Sequence, residues 1–158
     1  MTILHGQFVI GLVVSLVNIA IHAVILARVS WAARRAAAIA FKRNVMRLVL
    51  VMMAAVTVLM VAHIIEIGCW AIVYAALDVA PHRDEAFYFA FVNYTTLGYG
   101  DMLPRDYWRI LGPVTAMNGI MLFGWSTAVI YDALRTVAQA IPMGAERRSQ
   151  RAARRTTG

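Results

Sequence analysis

The chain has 158 residues, of which 61% are hydrophobic and only 15% charged, and its mean hydropathy is +0.68. That balance does not fit a water-facing surface and excludes an ordinary soluble domain. A formal net charge of +7 would suit nucleic acid, but the basic residues fall between and after the apolar runs, which points to a membrane instead and away from a nucleic-acid partner.

The first apolar run, 7–27, has Asn18 and His22 as its strongly polar members. About 20 such residues suffice to cross a bilayer core, so a helix is expected there. A cleaved signal peptide is the rival, but no Lys or Arg precedes the run and no small-x-small site follows it, which favours a retained helix. Next comes an alanine-rich stretch, 30–44, where Trp31 and Phe41 stand among basic residues. It reads either as a connector whose charges set topology or as a helix lying on or emerging from the cytoplasmic lipid surface, where anionic lipid would meet it. The second run, 46–77, would extend about 45 Å as a helix at 1.5 Å per residue, and so must tilt or protrude. Between 81 and 104 the chain is too short and too polar at both ends for two crossings, yet its middle is apolar and aromatic, which predicts a re-entrant segment. A third span is expected over 108–135. Its Gly112, Pro113, Gly119 and Gly124 are tolerated in membrane helices.

The charges orient these spans. Arg28, Arg34, Arg35, Lys42, Arg43 and Arg47 lie between the first two, and Arg135, Arg147, Arg148, Arg151, Arg154 and Arg155 follow the third. Both segments are expected in the cytoplasm, and the acidic segment 78–109 and the N-terminus outside. The basic tail, 137–158, carries few large apolar residues after Pro142 and is expected to be disordered or lipid-bound. Trp31, Tyr107 and Trp108 suit interfacial anchors. Cys69, the single cysteine, excludes an internal disulfide framework and a multi-cysteine metal site, and reads as a packing residue.

The chemistry concentrates in the re-entrant segment. Asp84 and Glu85 suit the start of a short helix over 84–95, where carboxylates favour the exposed N–H groups and positive dipole end. Its negative end would then face the membrane interior, where it favours a cation. The helix is followed at once by Thr95-Thr96-Leu97-Gly98-Tyr99-Gly100-Asp101, whose glycines permit backbone conformations closed to other residues. Such a strand can aim successive carbonyls along one axis and replace the hydration shell of K+, with the Thr96 hydroxyl adding an oxygen layer. A glycine-rich turn is the bland alternative, and Asn93-Tyr94-Thr95, a glycosylation pattern, is discounted because it falls in the pore helix.

Residues 95–101 resemble the signature of the tetrameric potassium channels, usually Thr-Val-Gly-Tyr-Gly, with Leu97 where Val is commoner. The resemblance extends over about 46–136. It implies an outer helix at 46–77, a pore helix at 84–95, a filter at 96–100 and an inner helix at 108–135, with the 1–45 region as an added N-terminal helix and connector. K+ would be held at Thr96, Leu97, Gly98 and Tyr99. Gly119 matches a hinge glycine, although close packing is an equal reading, and Ile120, Phe123, Gly124 and Thr127 match the inner-helix cavity region. Around the filter, Thr95, Tyr88, Val92 and Asp101 are the support positions. Tyr88 and Val92 stand where some members carry Trp and Glu, so Asp101 has no pore-helix carboxyl partner and Tyr88 is its expected bond. One chain supplies one strand, so a fourfold homotetramer follows.

His63 and Glu66 lie three residues apart on one face of the second span, and helix counting places Asn18 and His22 at similar depths. An interhelical polar cluster docking the extra helix is expected, with proton sensing by the histidines as the sharper alternative. His5 and His82 read as solvated. The expected whole is an all-α membrane protein with three transmembrane helices, a re-entrant pore helix and a filter loop, multi-pass in a cell membrane, for which the resemblance suggests a bacterial inner membrane. It would pass K+ passively, with no cofactor, no small-molecule substrate and no enzymatic motif. The alternatives are a non-selective cation channel, an accessory membrane subunit, or a proton-coupled carrier built on His63 and Glu66. There is no arginine-repeat voltage sensor and no ligand-binding domain to indicate a gating stimulus.

Overall fold

The computed structural model describes the backbone of residues 2–39 and 45–156, and the side chains of 4–35, 46 and 49–136. The fold is all-α: α1 (Thr2–Ile39), α2 (Val45–Ala76), α3 (Ala86–Tyr94) and α4 (Leu111–Thr156), with single 3-10 turns at Arg83–Glu85 and Asp106–Trp108. Among the described residues, three helices are long and apolar enough to cross a membrane, over Leu4–Arg35, Val49–Ala76 and Asp106–Thr136.

Packing is legible in the periodicity of α2. Ala62, Glu66, Trp70 and Tyr74 recur every four residues and are all fully buried, while Val58, Val61, Ile64, Ile65 and Ile72 on other faces stay exposed. Four-residue spacing puts the buried set on one stripe. In lipid an apolar side chain gains nothing by turning inward, so close packing and polar contacts decide which face meets the neighbours. α2 therefore runs antiparallel to α4, joined by Tyr74–Thr115, Trp70–Asn118 and His63–Ser126 contacts. α1 lies parallel to α4: Gln7 meets Tyr107 and Ile110, Asn18 meets Asn118, and His22 meets Ser126.

Two apolar clusters hold this bundle. The larger gathers Ile67, Trp70, Tyr74, Phe89, Tyr94, Leu111 and Leu122 around α3 and the adjoining halves of the other helices. The smaller joins Leu26 and Val29 of α1 to Ala55 and Leu59 of α2 at the opposite end. At Gly11, α1 packs so closely against the Val114 side chain of α4 that a Cβ would lie 2.7 Å from Val114 Cγ1.

Three expected boundaries change. The re-entrant helix begins as a 3-10 turn, and its α-helical part covers only Ala86–Tyr94. From residue 30 the chain continues α1 unbroken to Ile39, as a helix running on from the first span rather than a separate element, with Arg35 stacked 4.0 Å over Trp31. Residues 40–44, including Phe41, Lys42 and Arg43, lie outside the described residues, as does the Arg47 side chain. The tail, expected to be disordered or lipid-bound, extends α4 as helix to Thr156. Its Ala, Arg, Glu and Gln are good helix formers, and a segment continuing an existing helix avoids the nucleation cost that an isolated one bears. The side chains of the tail arginines from Arg147 onward lie outside the described residues.

Candidate ion-conduction site

α3 is buried through Ala86, Phe89, Ala90, Val92 and Tyr94, so it is a fixed platform rather than a surface turn. Its last turn carries the chain into the next segment through three backbone bonds: Thr95 N–H to Phe91 C=O, Thr96 N–H to Asn93 C=O and Leu97 N–H to Val92 C=O, each 3.0 Å. The Thr95 hydroxyl also donates to the Phe91 carbonyl at 2.8 Å.

From Thr96 to Gly100 every residue is exposed on the isolated chain. Along these five residues φ is positive at Thr96 (60°), Gly98 (54°) and Gly100 (77°), and at neither residue between them. An ordinary strand repeats one conformation and points its carbonyls alternately to opposite sides. Alternating the hand at each residue turns successive carbonyls toward the same side. Glycine takes the left-handed region freely, but a β-branched threonine there is strained, and such strain concentrates at functional sites. Behind the strand, the Tyr88 hydroxyl donates to Asp101 Oδ2 at 2.7 Å. That bond holds the exposed Tyr88 phenol above its usual pKa, because ionisation would set two negative groups together. Val92 is buried and offers Asp101 no polar group.

On α4, Gly119 sits directly beneath the end of α3. A Cβ on it would lie 2.0 Å from the Tyr94 carbonyl oxygen, so its position here is one of close approach. Ile120, Phe123, Gly124 and Thr127 are exposed along a continuous part of α4, and the Thr127 hydroxyl is turned back onto the Phe123 carbonyl.

Deeper in the bundle, Asn18, His22, His63 and Glu66 come together. His22 Nδ1 lies 2.7 Å from Glu66 Oε1 and His63 Nδ1 3.1 Å from Glu66 Oε2. Asn18 donates to the Glu66 backbone carbonyl and to Asn118 Oδ1, each at 3.2 Å. Tyr94, the last residue of α3, donates to Glu66 Oε2 and lies 3.0 Å from His63 Nδ1. Ser126 Oγ stands 3.1 Å from the Nε2 atoms of both histidines. Four helices thus share one buried network, and the Trp70 indole N–H adds a further bond to Asn118. Within a bilayer such groups have no water to turn to, so each needs a protein partner.

Several members were not singled out in the sequence. Gln7 uses both ends of its amide, donating to the Tyr107 carbonyl and accepting the Ile110 N–H at 3.1 Å, and so caps the start of α4. Asn118 and Ser126 carried a usable signal, being polar residues eight apart on one face of an apolar helix. Tyr94 carried none, since an aromatic residue in an aromatic helix reads as packing.

A short buried helix thus ends in an exposed segment of alternating hand, between two long apolar helices. Residues 60–136 match the ion-channel family model Ion_trans_2. The match covers just under half of the chain, from the middle of α2 through α3 and the strand to the membrane part of α4. This segment is thus similar to ion-channel domains, and the three long apolar helices fit a multi-pass membrane protein. α1 lies outside the matched residues. No curated protein and no solved structure matches the chain.

Proposed function

We propose that the chain is one subunit of a homotetrameric, potassium-selective channel with its filter at Thr96–Gly100. The observation that carries this reading is the alternation of hand at Thr96, Gly98 and Gly100, in a strand exposed on the single chain at the end of a buried helix. Four such strands about one axis would present stacked rings of carbonyl oxygens at Thr96, Leu97, Gly98 and Tyr99, with the Thr96 hydroxyl as the innermost layer. Such rings replace the hydration shell of K+. The C-terminal end of α3, directed at the strand's start, adds a negative dipole that favours a cation there.

In this assembly Ile120, Phe123 and Thr127 line the cavity below the filter, and Tyr88 supports it through Asp101. α1, bonded along its length to α4 and α2, is a built-in outer layer of the pore. The N-terminus lies outside and the basic end of α4 in the cytoplasm, as the charge distribution requires. Anionic lipid is the natural ligand of the basic segments.

Liposomes containing this chain alone test the reading. A K+ gradient should collapse rapidly and a Na+ gradient persist. Equal rates would defeat selectivity, and no flux of either would point to an accessory subunit.

A further inference from the structure

We propose that His22, His63 and Glu66 form an intramembrane binding site for a borderline divalent transition-metal ion, of which Zn2+ is the probe. These are two imidazoles and one carboxylate on two helices, all buried, and one ligand atom from each lies within 4.8 Å of the other two. Two histidines and a glutamate are a set that zinc accepts, and they exclude hard cations such as Mg2+, which take oxygen ligands.

The geometry needs little rearrangement. Ligands about 2.0 Å from a tetrahedral ion stand about 3.3 Å apart. The contacts now present, 2.7 Å from His22 Nδ1 and 3.1 Å from His63 Nδ1 to the two Glu66 oxygens, are slightly tighter than that. Both rings turn Nδ1 toward Glu66 and Nε2 toward Ser126 Oγ. A metal-bound histidine characteristically gives its other ring N–H to an oxygen that fixes its orientation, and Ser126 is placed to serve both rings at once. Tyr94, whose hydroxyl contacts Glu66 Oε2 and His63 Nδ1, is the nearest oxygen for a fourth position. To bind the ion each neutral ring presents an unprotonated Nδ1, so its single ring proton sits on Nε2, where it is donated to Ser126 Oγ. The Glu66 carboxylate offsets one of the two charges of the buried dication.

Access is also defined. The His22 and Glu66 side chains are fully enclosed, whereas that of His63 is 10% exposed and lies beside Phe123, with ring centroids 4.3 Å apart. An ion would therefore enter past Phe123. Once bound it would join α1 to α2 and fix Tyr94, whose carbonyl rests on Gly119 and which leads directly into Thr95 and Thr96. Metal occupancy would thereby reach the base of the strand.

The metal-binding proposal does not depend on ion conduction and is tested without it. The full chain, purified in detergent and stripped with chelator, is titrated with ZnCl2 and with MgCl2 by calorimetry, and its thermal unfolding is followed. One Zn2+ per chain with micromolar affinity, a raised unfolding temperature and no response to Mg2+ are expected. His22→Gln should weaken the binding at least about 100-fold, and Ser126→Ala about 10- to 100-fold. Wild-type protein that takes up no Zn2+ below millimolar concentration overturns the proposal whatever the variants do. Binding unchanged in His22→Gln would assign the zinc to surface groups and overturn it equally.

Discussion

Gly119 and Tyr94 are where the account is most exposed to a single atom. The Tyr94 carbonyl occupies the space a Cβ at 119 would need. Gly119→Ala must therefore push α3 away from α4, and overpacking of this kind costs about 1–3 kcal/mol. A lowered unfolding temperature together with reduced ion flux is expected, whereas a purely flexible glycine would lose flux without loss of stability. Tyr94→Phe keeps the ring against Phe123 but strips one donor from the buried Glu66 carboxylate, at a cost of about 1–3 kcal/mol measurable by thermal unfolding. Tyr88 belongs to the same scale. Its phenol is raised by the bond to Asp101, so the stability from that bond is fully present below the ordinary tyrosine pKa of about 10 and is lost as pH rises through the higher folded value. Fluorescence titration should show the Tyr88 signal moving down in pH on Asp101→Asn.

Among the elements, α1 carries most of the new information. Its span was legible from 7–27, and Asn18 and His22 stood out because polar side chains are rare inside a bilayer. Counting depth along two antiparallel helices placed Asn18 near Glu66 and His22 near His63; in the structure both Asn18 and His22 bond Glu66, and the His22 and His63 rings lie 5.2 Å apart. What the sequence did not give away was Gln7, whose two bonds depend on a tertiary neighbour 100 and 103 residues along the chain. Gln7→Ala leaves the Ile110 N–H without its partner, and hydrogen exchange at that amide should quicken by the equivalent of about 1–3 kcal/mol. Exchange unchanged from wild type would mean that α1 does not cap α4. The helical extension of α4 was hidden for another reason: composition alone suggested disorder, but the tail continues a helix already nucleated in the membrane.

For the whole molecule, three spans and a re-entrant loop followed directly from run lengths and charge, because bilayer thickness and backbone satisfaction leave few alternatives. The strand 96–100 was marked by its glycines, yet the positive φ at Thr96 was not, since nothing about threonine favours that region. On the proposed reading, the segment exposed on one chain and the face open at Ile120 and Phe123 would be covered by further copies around an axis. The purified chain should accordingly run as a tetramer in mild detergent by light scattering, and a monomer would remove the basis for a shared filter. The most direct measurement of the central claim is ion flux from liposomes reconstituted with this chain alone. K+ efflux at least about tenfold faster than Na+ efflux, a difference of about 1.4 kcal/mol in barrier, is the predicted result, and equal efflux of the two ions would contradict it.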